Sequence, residues 1–246
     1  MVVNAFQESL EKASVKSLSL TRLQTYCLVL HLALFMLCGC GVTVYRDGFD
    51  STAIGQPPGP PQIGTSSING DVLIAENPTN DVSPDRWLEL RRPSATGTLG
   101  EYVGTFKERV TATGRVRLLG YIPAFAPAVM SVHFEALGPA SPLTLLHIDL
   151  LADGKIRVND STIVGTYQFD TIISFSVRFN LGGASPSATL NITDGVHDAS
   201  AAVAIPASPA GFGLGQVRIV TAFEGVNSAA GQFLVNEVVA TKPRSD

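Results

Sequence analysis

Between Val129 and Leu151 the chain alternates apolar and polar side chains twice in succession. A period of two is the spacing of a β-strand with one face buried and one face wet, and it is incompatible with a helix. Val132, Phe134 and Ala136 share one face of the first run, and Leu146, Ile148 and Leu150 share one face of the second. The segment 138–142, Gly-Pro-Ala-Ser-Pro, joins them. Ala152-Asp153-Gly154 then turns the chain into Lys155–Asn159, with Gly154 at the loop position that takes a left-handed backbone. Shorter runs of the same kind lie at 42–46, 72–75, 87–90, 102–106, 115–121, 173–179, 188–192, 203–205, 216–220 and 233–238. Gly, Pro, Asn and Asp separate them, and no long helical periodicity intervenes. The pattern predicts an all-β, two-sheet antiparallel sandwich over residues 40–246, with the Pro/Gly-rich stretch 55–69 as a long surface loop inside it.

The charge balance narrows the function classes. Seventeen Lys and Arg stand against 21 Asp and Glu, and none of the basic residues form a run. That argues against nucleic acid as a partner, which calls for clustered Lys and Arg. The three cysteines, Cys27, Cys38 and Cys40, all lie in the first 40 residues. The β-rich body therefore has neither a disulfide framework nor a thiolate metal site.

Those first residues read as a leader. Lys12, Lys16 and Arg22 precede an apolar stretch from Cys27 to Leu37. The stretch is short against the roughly 20 residues of a membrane-spanning helix, which makes a helical secretory signal the better reading than a transmembrane anchor or a buried helix. Glu8 and Glu11 fit a positive n-region poorly, which points to a translation start further downstream, near Val15. At its end, Leu37-Cys38-Gly39-Cys40 resembles the bacterial lipobox. The resemblance implies removal of residues 1–39 as a signal peptide, lipid on Cys40, and a membrane partner through that lipid. It also implies a place in the bacterial cell envelope. Gly41 stands where an Asp commonly retains such lipoproteins in the inner membrane, so the resemblance favours the outer membrane if the source is Gram-negative.

If the loop 138–142 closes symmetrically, Leu137 faces Leu143 and His133 faces His147; if 152–154 does the same, Asp149 faces Arg157. One face then carries Ser131, His133, Glu135, His147, Asp149, Arg157 and Asn159. Three readings stay open. The face is an ordinary solvated surface with cross-strand pairs, a surface for an organic ligand, or a site where two imidazoles and a carboxylate hold a metal such as zinc. Trp87 shares the outer face of its strand with Glu89, where it is either a stacking platform for a sugar ring or packed under a loop.

The order of elements, with Tyr45-Arg46-Asp47-Gly48-Phe49-Asp50, Leu88-Glu89-Leu90, Leu151–Arg157 and Tyr167–Asn180, resembles the concanavalin A-like lectin/glucanase jelly roll, the group that includes laminin-G-like domains. Ile172 stands where a Trp is common. The resemblance spans roughly residues 44–240. It implies sugar-polymer binding on the exposed face of one sheet, and Asp47 and Asp50 as candidates for calcium, the one cofactor it suggests. The paired carboxylates of the glucanases, Glu-x-Asp-x-x-Glu, are missing, which disfavours hydrolysis. The expectation is a lipid-anchored envelope protein with a non-catalytic binding or structural sandwich. Its partner would be a polysaccharide or another envelope protein. The alternative is a polysaccharide-active hydrolase or lyase using His133, Glu135, His147 and Asp149.

Overall fold

The alternating runs do form strands. The structure, a computed structural model, describes residues 41–79, 86–92, 99–139, 141–222 and 231–244. The leader expected over 1–39, its helix and Cys40 lie outside these residues. The strands are β1 (Val42–Asp47), β2 (Thr65–Asn69), β3 (Val72–Ala75), β4 (Trp87–Arg92), β5 (Glu101–Val110), β6 (Thr113–Tyr121), β7 (Val129–Leu137) and β8 (Leu143–Leu150). They continue with β9 (Lys155–Val158), β10 (Thr162–Thr166), β11 (Ile172–Asn180), β12 (Ser187–Thr193), β13 (Asp198–Ala204), β14 (Gly213–Ala222) and β15 (Gly231–Lys242).

They pair antiparallel into two sheets. The eight-stranded sheet runs β13-β12-β11-β6-β15-β4-β3, with β1 also on β15; the seven-stranded sheet runs β10-β9-β8-β7-β14-β5-β2. Alternation puts Phe134, Ile148 and Val217 of one sheet and Phe175, Val177 and Phe233 of the other into a single buried cluster. Phe134 and Phe179 meet across it with ring centroids 5.3 Å apart. The expected all-β, two-sheet antiparallel sandwich is therefore what the chain forms.

Four local expectations change. The loop 55–69 ends at Gly64, and Thr65–Asn69 is β2, paired to β5. Thr162–Thr166 forms β10, where the alternation predicts no strand. The run at 203–205 is the tail of a longer strand beginning at Asp198. The β7–β8 register also differs from the symmetric closure: Ala136, not Leu137, faces Leu143. A bulge between Phe134 and Glu135 absorbs Leu145, so adjacent Leu145 and Leu146 are both buried.

One end of the core is polar. Tyr45 and Tyr102 share a short hydroxyl–hydroxyl hydrogen bond. Tyr102 donates to Asp47 Oδ2 at 2.6 Å, and Asp47 Oδ1 accepts from the Phe49 amide at 3.1 Å. All three side chains are buried. Gly104 makes room for this arrangement, because a Cβ there would stand 2.6 Å from Tyr45 Cζ.

Candidate functional site

The outer face of the seven-stranded sheet gathers the polar residues that alternation left on one side. Directly opposed positions form rows across the strands. Arg157, Asp149, Ser131, Val220 and Glu101 form one row, from β9 through β8, β7 and β14 to β5. His147, His133, Arg218 and Val103 form the next. Glu135, Gln216 and Thr105 form the third. The sequence-predicted His133, Glu135, His147, Asp149 and Arg157 are thus brought together. Gln216, Arg218 and Glu101 join them from β14 and β5, more than 80 residues away from Glu135 in the case of Gln216 and Arg218.

His133 and His147 stack with centroids 4.2 Å apart and planes 13° from parallel. His147 is bracketed by carboxylates: Nε2 lies 2.7 Å from Asp149 Oδ1, and Nδ1 lies 3.2 Å from Asp160 Oδ1. Asp160 reaches this position because Asn159 and Asp160 both adopt left-handed backbone, with φ of 48° and 62°. That is the geometry of a tight hairpin turn. Asn159 ties the turn to β8, accepting from the His147 amide at 3.2 Å.

Asp149 is the hub. It is 2 % exposed. Ser131 donates to its Oδ1, and Arg157 donates to its Oδ2 from Nε at 3.0 Å and from Nη2 at 2.8 Å. Burial alone would raise this carboxyl, but the hydrogen bonds from His147, Ser131 and Arg157 outweigh it and bring its pKa down to about 2. Glu135 is committed as well, to Arg218 Nε at 2.9 Å and to Gln216 Nε2 at 2.5 Å. Arg218 extends on to Glu101 at 3.5 Å.

His133 differs from its neighbours. Burial, then the adjacent charges of His147 and Arg218, push its pKa down to about 4, so the ring is neutral near pH 7. Its nitrogens make no hydrogen bond to any described residue, and the ring is half-buried rather than sealed.

His147, Asp149 and Asp160 are the one trio of His, Cys or acidic residues among the described residues with ligand atoms close enough to share a metal. An ion there would have to displace at least one of the His147 contacts to Asp149 and Asp160, with Arg157 still held on Asp149. The two acids expected as calcium candidates sit in different surroundings. Asp47 faces into the core toward Tyr102, where burial raises its pKa, and Asp50 Oδ1 accepts from the Arg86 amide at 3.2 Å. Trp87 does lie on the outer side of β4, as its parity requires, but in the other sheet and only 1 % exposed. Tyr121 and Leu234 cover it, with Ala75 and Leu119 at their edge. It is not an open platform.

No protein-family model matches the chain, and no curated protein matches its sequence. Solved structures do match its fold. An alginate lyase from a Chlorella virus superposes with a TM-score of 0.54 at 8% identity, over 73% of this chain and 93% of that one. A Trypanosoma rangeli sialidase in complex with sialic acid gives 0.50 at 11% identity over 83% of this chain, which spans 31% of the sialidase. A winged bean acidic lectin complexed with methyl-α-D-galactose gives 0.49 at 9% identity, over 81% and 99% of the two chains. At these identities the likenesses speak for the fold alone, and that fold is a two-sheet antiparallel jelly-roll sandwich.

Proposed function

We propose that this is a carbohydrate-binding protein that takes a saccharide on the outer face of the seven-stranded sheet, around His133. The observation that carries the reading is His133 itself: neutral, stacked on His147, flanked by Arg218, and with ring nitrogens uncommitted to any described residue. A neutral imidazole both donates and accepts, which suits a sugar hydroxyl. Ion pairs hold Arg157 and Arg218, and a hydrogen bond to Glu135 holds Gln216, in fixed orientations, so less freedom is lost when a ligand arrives. The sandwich shared with the alginate lyase and the sialidase supports the ligand class. Titration with a panel of oligosaccharides tests it. His133→Ala is expected to weaken binding about tenfold, equal to about 1.4 kcal/mol, with the circular dichroism spectrum unchanged. A panel in which no saccharide binds would remove the reading.

The same proposal includes a lipid tether on Cys40, in the bacterial cell envelope and on the outer membrane in a Gram-negative cell. The Leu37–Cys40 motif supports it, with Gly41 in place of an inner-membrane Asp, and the two residues from Cys40 to β1 at Val42 would then hold the sandwich close to the bilayer. Mass spectrometry of the processed protein is expected to find acyl chains on Cys40, and an unmodified thiol there would exclude the tether.

One observation favours a second reading, a polysaccharide lyase. A neutral His133 beside the Arg218 guanidinium could accept a proton next to a sugar carboxylate. Hydrolysis is less suited to this face. It requires a carboxylic acid that gives up a proton, whereas Asp149 stays ionised down to about pH 2 and Glu135 is tied to Arg218. Incubation with uronate polymers, monitored for the ultraviolet absorbance of unsaturated chain ends, separates binder from lyase.

A further inference from the structure

We propose that the outer face of the eight-stranded sheet is a second binding surface, for an anionic polysaccharide, built by Arg115, Arg117 and Arg178 with Arg46 at its margin. These arginines come from three strands, and strand pairing alone assembles them. Arg115 and Arg117 lie two residues apart on β6, on the side opposite to buried Val116 and Leu118. Arg178 on β11 stands directly across from Arg115. Val239 of β15 faces Arg117 on its other side, and Arg46 of β1 faces Val239 in turn. Strand geometry sets these neighbours ~5–7 Å apart at the backbone.

Like charges placed directly opposite one another destabilise a sheet. Here the chain carries a net charge of −4 yet sets three guanidinium groups at neighbouring positions of β6 and β11, with no carboxylate directly opposite them in that pairing. Arg115 donates from Nε to Ser176 Oγ at 2.9 Å. Neither Arg117 nor Arg178 has an ion pair with any described residue. Glu237 lines a small cleft with Arg117 over the β15 bulge and pairs with neither. Partial burial, then the charges of Arg117 and Arg178, lower the Arg115 pKa. Among the described residues no carboxylate pairs with Arg117 or Arg178, and a bound anion would relieve the repulsion.

The surroundings select the kind of anion. Ser174 and Ser176 flank the arginines on β11, with Asn191 and Ser200 beyond them on β12 and β13. These groups offer hydroxyl and amide contacts to a polyhydroxylated ligand. The face exposes no aromatic ring among the described residues. Protein interfaces centre on apolar and aromatic anchors, and peripheral membrane surfaces insert them. A flat row of guanidinium groups set among hydroxyls fits repeated carboxylates or sulfates along a sugar chain, each taken by charge-assisted hydrogen bonds.

The proposal is independent of the His133 face on the opposite sheet, and the experiment keeps them apart. The full-length chain is titrated calorimetrically with oligogalacturonate, with a chondroitin sulfate oligomer and with uncharged maltooligosaccharide. Binding of at least one anionic oligomer is expected, weakening as salt is raised. The R117Q/R178Q double variant is expected to lose about tenfold in affinity for it, whereas the His133→Ala variant keeps it. Failure of both anionic oligomers to bind overturns the proposal, as does equal affinity of the double variant. Loss in His133→Ala alone reassigns the anion to the other sheet and likewise overturns it. Co-sedimentation with anionic phospholipid vesicles, abolished in R117Q/R178Q without any oligomer binding, would overturn it in favour of a lipid surface.

Discussion

At the residue scale, the most informative group is His133. An unfolded histidine titrates near 6.5, whereas this one is held down to about 4. Between those values the unfolded chain binds the extra proton and the folded chain refuses it. Stability therefore falls as pH is lowered from about 6.5 to about 4. His133→Asn removes that proton uptake, and urea midpoints across this window are expected to vary less steeply than in the wild type. Asp149 acts lower down. Its pKa is depressed to about 2, so its contribution persists at neutral pH and fades only as pH drops below the ordinary carboxylate value of 3.8. The pairing of the two imidazoles was legible because the bulge that takes up Leu145 offsets the one-residue shift at Ala136 and Leu143 and returns His133 opposite His147. The commitment of Glu135 was not, because its partners Gln216 and Arg218 sit on β14, a strand that sequence order does not bring near β7. Trp87 stayed open between an exposed platform and a packed ring for the same reason. Its side of the strand could be read, but its cover, Tyr121 and Leu234, comes from β6 and β15.

At the element scale, the strands that escaped the sequence reading are the ones burial does not mark. β2 and β10 are the two edges of the seven-stranded sheet, and β13 is an edge of the other. β2 and β10 have no fully buried position, and β13 presents mainly alanine. Without a core to face, an edge strand leaves no apolar alternation to detect. Inner strands such as β7 and β11 carry the strongest signal because both neighbours hold them against the core. Turns are similarly local. In the β12–β13 connection, Asp194 accepts the amides of Gln168, Val196 and His197 at 2.7, 2.8 and 2.6 Å, together with His197 Nδ1 at 2.9 Å. Burial opposes ionisation of this carboxyl, but those bonds prevail and its pKa is lowered. Asp194→Ala would strip several amides of their acceptor, at an expected cost of about 1–3 kcal/mol in chemical denaturation. No change is expected in binding on the His133 face, which lies on the other sheet.

At the scale of the whole molecule, both sheets empty their inner faces into one buried cluster. Residues 42–242 should then unfold as a unit rather than sheet by sheet. The single tryptophan reports on this from outside the central cluster, because Trp87 sits in the satellite cluster on the outer side of β4. Its emission is expected to be blue-shifted in the native state. Its urea midpoint should coincide with the loss of far-ultraviolet ellipticity; separated midpoints would mean that the satellite cluster melts first.

The pairing of β1 with β15 sets Val42 against Lys242, so the first and last strands are antiparallel neighbours in one sheet. Their Cα atoms are then only about 4.5–5.5 Å apart, a gap that a two-residue turn closes. In effect the domain is a ring with one nick. A permuted chain that fuses Lys242 to Val42 through such a turn, and opens instead between Gly182 and Gly183, should fold to the same sandwich. Both glycines are exposed, and a Cβ at either would meet nothing within 4 Å. Such a permutant would free the two polar faces from any attachment at the original ends, so that each could be assayed on a molecule with no tether at all.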